Sequence, residues 1–213
     1  MELDNNQLVA LITEAVTKQL SNNSGMNKIP VAISNRHVHL SQDDMNKLFG
    51  ANHQFKVFKN LSQPGQFAYE EKVTLVGPKG VLENVRILGP GRKETQVEIS
   101  VADGIKLGVK APIRDSGELA HSASLTLVGP LGSTTLPQGT IIAARHIHMH
   151  PEDATRFGVK NRERINVKAP GARGLVYNEM LVRVSDNYKL EMHIDIDEAN
   201  AAFLRNSDFV EII

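Results

Sequence analysis

Cysteine is missing from all 213 residues. That removes disulfides, and it removes the thiolate as nucleophile and as metal ligand. A metal in this chain has to be held by imidazole and carboxylate. An excess of charge of one sign is missing too: Lys+Arg and Asp+Glu number 24 each, a formal net charge of zero. This argues against non-specific binding to nucleic acid or an anionic membrane. No apolar run approaches the length of a membrane-spanning helix. The N-terminus lacks the basic start and long apolar core of a secretory signal, so a cytoplasmic protein is the default expectation. There is no Gly-x-Ser-x-Gly turn, no Gly-x-Gly-x-x-Gly after a strand and no Walker A loop. Serine hydrolysis from a nucleophile elbow, dinucleotide redox chemistry and nucleotide hydrolysis lose support accordingly. A chain of this length holds a sizeable core in one or two domains.

What is present is a duplicated phrase. Arg36-His37-Val38-His39-Leu40 and Arg145-His146-Ile147-His148-Met149 stand 109 residues apart. Each runs on into acidic residues. In a strand, residues two apart face the same way. Each His-x-His therefore aims two imidazoles together, while Val38 or Ile147 faces a core. Imidazole is the commonest metal-coordinating side chain, so two duplicated pairs suggest a two-metal site. The duplication continues downstream, and an overlay places Glu98, in Gln96-Val97-Glu98-Ile99-Ser100, on His193, in Glu191-Met192-His193-Ile194-Asp195. The candidate sets are His37, His39 and Glu98 in one half, and His146, His148 and His193 in the other. Three protein ligands with a position left open is the catalytic zinc-type pattern. The plainer reading, hydrogen-bonded core histidines, loses ground to the repetition. His53 and His121 have no such company and read as surface or local structure. His150, just before Pro151, reads as the flank of a helix start.

The chain divides unevenly. Residues 1–20 are amphipathic at helical period, with Leu8, Leu11, Ile12, Ala15, Val16 and Leu20 on one stripe. A polar linker, 21–28, follows. A short helix on a tether cannot bury its own stripe, so it needs a partner: its own domain, an oligomer, or a groove that it enters as a docking tag. From Ile29 onward short strand-forming runs alternate with Gly-Pro turns, and Leu-Val-Gly-Pro occurs at both Leu75 and Leu127. This predicts a mainly β protein: two related small β-barrels with short helices, preceded by an N-terminal amphipathic helix. The helices are expected after a Ser41 cap, from Pro151 to a Gly158 stop, and after an Asp197 cap through Leu204. The metals would lie where the halves meet.

Two anion-binding candidates share these stretches. Gly89-Pro90-Gly91-Arg92-Lys93 is a Gly-rich turn with two cations, and Arg114-Asp115-Ser116-Gly117 offers a hydroxyl and a guanidinium. An exposed turn is the simpler account of the first. Arg36 and Arg145 point away from the His pairs and suit a structural or pocket-wall role.

Several unusual phrases, in order, resemble one family. They are Ile33 through Ser41, Leu61-Ser62-Gln63-Pro64-Gly65-Gln66-Phe67, Arg92 through Ser100, Ile113-Arg114-Asp115-Ser116-Gly117, Arg145 through Met149, and Leu190 through Asn200. Together, over nearly all of residues 29–204, they resemble the PduL-type phosphate propanoyltransferases, the phosphotransacylases of bacterial microcompartments. The resemblance implies conversion of acyl-CoA plus phosphate, propanoyl-CoA foremost, to acyl phosphate plus CoA, as in 1,2-propanediol degradation. It implies a first barrel over 36–143 and a second over 144–213 that takes in the strand 29–35. It implies two zinc ions per chain between the barrels, other divalent metals being possible on imidazole. His37, His39 and Glu98 resemble the ligands of the metal that meets the CoA sulfur, and His146, His148 and His193 those of the second. Arg92 resembles the phosphate-binding, catalytic arginine, with Ser34, Ser116 and Arg183 nearby. Lys59, Arg86, Leu88 and Asn200 resemble CoA-contacting positions. Residues 1–20 resemble an encapsulation peptide that would dock on microcompartment shell or core proteins, and a homo-oligomer is expected. Two other functions fit the same ligands: a dizinc thioester hydrolase, and a non-enzymic metal-binding module docked in a shell.

Overall fold

The computed structural model describes residues 27–213, with Thr13 alone ahead of them. The helix expected over residues 1–20 and most of the linker expected over 21–28 lie outside the described residues. Among those described, no helix is long and apolar enough to cross a membrane.

The chain is mainly β, in two six-strand rings. It runs β1 (Lys28–Ser34), β2 (His37–His39), β3 (Val57–Asn60), β4 (Phe67–Val76), β5 (Val81–Gly89), β6 (Gln96–Glu98), β7 (Ile113–Arg114), β8 (Ala123–Val128) and β9 (Ser133–Ala143). It continues through β10 (His146–Met149), β11 (Arg164–Ala169), β12 (Leu175–Val184), β13 (Glu191–Asp195) and β14 (Phe209–Ile212). The first ring is β4-β5-β2-β6-β9-β8, closed by the pairing of β8 with β4; β3 and β7 flank it. The second is β1-β13-β10-β12-β11-β14. Strand for strand the two rings have the same order and the same parallel or antiparallel pairings. In each, the His-x-His strand lies parallel to one neighbour and antiparallel to another, β5 and β6 for β2, β12 and β13 for β10.

One exchange links the rings. β1 leads directly into β2 yet belongs to the second ring, and β9 leads into β10 yet belongs to the first. Each His-x-His motif therefore begins where the chain crosses from one barrel to the other. Each barrel has its own core. Val38, Leu40, Leu75, Ile87, Val97 and Leu127 fill the first, and Ile147, Met149, Met180, Val182 and Met192 the second. Val38 and Val97 are 0% exposed, as are Ile147 and Met192. By the two-residue period of a strand, the residues on either side of each turn away from the core and toward the space between the barrels.

Among the described residues from 27 onward, four short helices decorate the barrels: α1 (Gln42–Phe49), α2 (Val101–Leu107), α3 (Pro151–Phe157) and α4 (Ile196–Ala202). Ser41 caps α1, and α3 starts on Pro151 and stops at Gly158, as the sequence predicts. His150 caps α3, accepting from the Glu152 backbone. The cap of α4 is Asp195 rather than Asp197, because Asp195 and Glu198 satisfy each other's backbone N–H in a reciprocal capping box. α2 was not anticipated. Its signal is the same box, Ser100 with Asp103.

The repeated Leu-Val-Gly-Pro phrases are neighbours: Leu75 pairs with Leu127 across β4 and β8. Each phrase ends in a turn that seats the end of a helix. Lys79 N–H donates to the Leu107 carbonyl at the end of α2, and Leu131 N–H to the Leu48 carbonyl near the end of α1, both at 3.0 Å. The turn glycines allow this approach. A Cβ on Gly129 would stand 2.6 Å from the Leu48 carbonyl oxygen, and one on Gly77 would stand closer still to that of Leu107.

Candidate active site between the barrels

Both His-x-His strands open onto one cavity of about 880 Å³. The first barrel lines it with His37, His39, Phe58, Lys59, Arg86, Leu88, Arg92, Glu98 and Ser116. The second contributes Ser34, His146, His148, Arg183, Tyr188, Glu191 and His193.

Strand register assembles each triad. Glu98 lies directly across from His37, and His193 directly across from His146. The ligand atoms of His37, His39 and Glu98 lie within 4.8 Å of one another, all three residues buried. His37 Nε2 is 3.4 Å from Glu98 Oε2. In the second triad the rings crowd together: centroids are 4.7 Å apart for His146 and His148, 5.1 Å for His146 and His193, and 4.8 Å for His148 and His193. The Nδ1 atoms of His37 and His146 each sit 2.8 Å from a carbonyl two residues back, Asn35 and Ala144. That contact turns Nε2 toward the cavity in both halves, as in metal sites where the remote nitrogen is tied to a carbonyl.

The electrostatics suit cations. Burial, with His37 and Arg92 nearby, drives the His39 pKa down to about 3. Burial beside His193 and Arg183 takes His146 to about 3, and burial beside His146 and His193 takes His148 to about 2. These imidazoles are neutral at pH 7, the state that binds metal. Burial opposes charge on Glu98, but His37, His39 and Arg92 outweigh it and hold the carboxyl well below the usual carboxylate range. Burial likewise opposes charge on His37, and Glu98 outweighs it, raising the His37 pKa. His39 Nδ1 and His148 Nδ1 are buried without a hydrogen-bond partner. Buried polar atoms are rarely left so. The N and O donors of His37, His39 and Glu98, gathered with no thiolate, fit one divalent transition metal.

Arg92 joins this site to an anion-binding corner. Its Nη2 lies 2.9 Å from His39 Nε2, and its Nη1 donates to Ser116 Oγ at 2.9 Å. Gln96 Nε2 also donates to Ser116 Oγ, which in turn donates to Glu98 Oε1 at 3.3 Å. Arg183 enters from the second barrel, its Nη2 3.5 Å from Asp115.

A family model described as phosphate propanoyltransferase matches residues 30–205. A phosphate propanoyltransferase of Rhodopseudomonas palustris is 51% identical over 91% of this chain and 86% of its own length. One of Thermotoga maritima is 51% identical over 87% of this chain and 89% of its own. One of Lachnoclostridium phytofermentans is 47% identical over 99% of this chain and all of its own length. The chain belongs to the phosphate propanoyltransferase family.

In this member of the family, the residues singled out from sequence sit unequally. The six candidate ligands, Arg92, Ser34, Ser116, Arg183, Lys59, Arg86 and Leu88 all line the cavity. Asn200 lies on α4, exposed, and is not among the lining residues. Arg86 is held by the Tyr69 and Glu70 carbonyls and lies over the Phe58 ring. Arg36 and Arg145 are structural: they pair with Asp103 and Glu198, the capping acids of α2 and α4. His53 is local structure, paired with Glu71 among Phe49 and Phe55.

Sequence reasoning missed four contributors. Gln96 is fully buried, hydrogen-bonds Glu98 and Ser116, and accepts from Gly117 N–H. Asp115 bridges Arg162 and Arg183 of the other barrel. Tyr188 stacks on His148 at 4.2 Å. Glu191 lies across from His148. For Gln96 and Glu191 a signal existed, since each stands two residues before a candidate ligand on the same strand face.

Proposed function

We propose that the chain is a phosphotransacylase that interconverts propanoyl-CoA plus inorganic phosphate with propanoyl phosphate plus CoA. The observation that carries the reading is Arg92: a half-buried guanidinium bonded both to His39 of one triad and to Ser116. An anion that replaced the serine as its partner would lie within reach of the triad. The family match supports the same conclusion. His37, His39 and Glu98 would hold one divalent ion, zinc foremost, and His146, His148 and His193 a second. Metal held by these residues would supply Lewis-acid polarisation of the thioester carbonyl and stabilisation of the departing sulfur.

The side chains account for the rest. Arg92, with Ser116 and Arg183, holds hydrogen phosphate in a fixed position, and Ser34 lines the same cavity. A phosphate oxygen attacks the thioester carbon, the C–O bond forms, and the C–S bond breaks with its electron pair leaving on sulfur. The proton carried by the phosphate ends on that sulfur, giving free CoA. Phosphate is a competent nucleophile at neutral pH, so no strong general base is needed. Lys59, Arg86 and Leu88 supply cations and an apolar wall for the CoA arm, and Asn200 is proposed as an outer contact.

The cellular setting is part of the proposal. Residues 1–20 would deliver a homo-oligomeric enzyme from the cytoplasm into a bacterial microcompartment that degrades 1,2-propanediol. The amphipathic spacing and the resemblance described above support this.

The deciding experiment is thiol release from propanoyl-CoA, with and without phosphate, before and after chelation. Release that requires phosphate and is abolished by the chelator is expected. Release that ignores phosphate would make the protein a thioester hydrolase, and none at all would leave a metal-binding module.

A further inference from the structure

We propose that a groove on the second barrel, at the end of α4, seats the apolar stripe of residues 1–20 of the same chain. The surface is separate from the catalytic cavity, with which it shares no lining residue.

The groove has a volume of about 630 Å³ and three walls. Pro170 through Arg173 form the turn between β11 and β12, Ala202 through Leu204 end α4, and Asp208, Phe209 and Glu211 come from β14 and its approach. Two phenylalanine rings dominate its apolar surface: Phe203 is 69% exposed and Phe209 50%. Strand period accounts for Phe209. Val210 and its partner Ile29 are fully buried, so Phe209 and Glu211 turn outward. Phe203 is placed by the backbone. It caps the end of α4 at a φ of 62°, its N–H donating to the Asn200 carbonyl. That left-handed conformation favours glycine, and Gly108 and Gly158 hold it at the ends of α2 and α3. The helix end gains nothing from a large exposed ring there. Exposed aromatics clustered among polar residues mark a protein interaction surface.

The occupant follows from where residues 1–27 join the barrel. Lys28 lines the groove and stands opposite Glu211 across β1 and β14. Residues 1–20 carry the stripe of Leu8, Leu11, Ile12, Ala15, Val16 and Leu20, which a lone short helix cannot bury. The connection over 21–27 reaches at most roughly 25 Å, and on the order of 14 Å as a coil. Such a tether keeps the stripe near the two rings at an effective concentration of about 1 mM, so a groove of only about 0.1 mM affinity holds it docked roughly ten to one. Charge agrees with an apolar occupant. Lys28 and Arg173 balance Asp208 and Glu211, which gives no attraction for nucleic acid or an anionic membrane. While seated, the stripe is withheld from every other partner until that partner outcompetes the groove.

The test is hydrogen exchange read by mass spectrometry on the full chain, at high and low protein concentration, for unaltered protein and the double variant F203G/F209T. Glycine suits the φ at 203 and threonine suits an exposed strand position, so both changes spare the barrel. Amides of residues 8–20 should exchange about 10-fold more slowly in unaltered protein than in the variant, at both concentrations. Equal exchange in the two proteins would overturn the inference. Protection that fades on dilution would overturn it as well, since the occupant is then a neighbouring copy. Hydroxyl-radical footprinting gives the reciprocal reading from a change outside the barrel. In Val16→Asp the Phe203 and Phe209 rings should oxidise several-fold faster than in unaltered protein, and equal rates would show that the segment does not cover them.

Discussion

At the scale of single residues, the site divides into groups whose role is intrinsic and groups whose role is conferred. Imidazoles two apart on a strand face one way, so His37, His39, His146 and His148 stand out as candidate ligand pairs from spacing together with repetition. Arg92 is different, because one arginine in a Gly-rich turn is ambiguous. Its meaning comes from a 2.9 Å contact with His39 and another with Ser116, 24 residues along the chain. Arg92→Ala is expected to lower kcat/KM for phosphate about 10²- to 10³-fold, the range for removing one charge-stabilising donor. Zinc content should stay as in the unaltered protein. Elemental analysis beside initial-rate kinetics checks both, and a variant that loses its zinc would show Arg92 to be a support for the metal position instead. Gln96 and Glu191 left only a faint trace in the sequence, each two residues before a candidate ligand, and Asp115 left none. Buried amides and acids are common; register across β6 and β13 sets Gln96 opposite His39 and Glu191 opposite His148, and Asp115, just past β7, meets Arg162 and Arg183 of the other barrel.

Among elements, the local rules worked where a cap or a glycine carried the instruction. Ser41, Pro151 and Gly158 mark helix ends by their own backbone chemistry. α2 was hidden because its seven residues contain a glycine and span barely two turns. Tertiary packing, and the pairing of Asp103 with Arg36, stabilise what propensity does not. The Leu-Val-Gly-Pro repeats were legible as turns, but their task of seating the ends of α1 and α2 was not. Gly129→Ala should force the Leu48 carbonyl and the turn apart and destabilise the protein by roughly 1–3 kcal/mol. Urea unfolding followed by circular dichroism checks this, and an unchanged midpoint would mean that the helix end yields without strain.

For the whole molecule, three buried neutral imidazoles make stability depend on pH. His39, His146 and His148 have folded pKa values of about 3, 3 and 2, against an ordinary 6.5. The unfolded chain binds protons first as pH falls. Metal-free protein should therefore lose stability below pH 6.5, by up to roughly 1.4 kcal/mol per pH unit for each group. His37 acts in the opposite sense. Its pKa is raised, so its contribution is complete below 6.5 and fades as pH rises through the folded value. Thermal melts of chelated protein at pH 7.0 and 5.5 check this: the melting temperature should be lower at 5.5, and equal values would refute neutral buried imidazoles. A second prediction concerns delivery. Deleting residues 1–20 should leave thiol release intact and abolish entry into a shell, measured by co-purification with shells; entry that survives the deletion would remove the targeting role.

By itself the sequence determined the class of the fold, the duplication, the two candidate ligand triads and the family. Each is written in short-range periodicity or in repeated phrases, and the strand period alone turns both imidazoles of a pair to one side. Tertiary structure decided which barrel each strand closes, how β1 and β9 exchange, and which side chains meet in the cavity. Those outcomes depend on pairing between strands more than a hundred residues apart, such as β1 with β13. Closing a sheet into a barrel satisfies every edge at once, so the last partner of a strand is set by the whole ring and not by its neighbours in the chain.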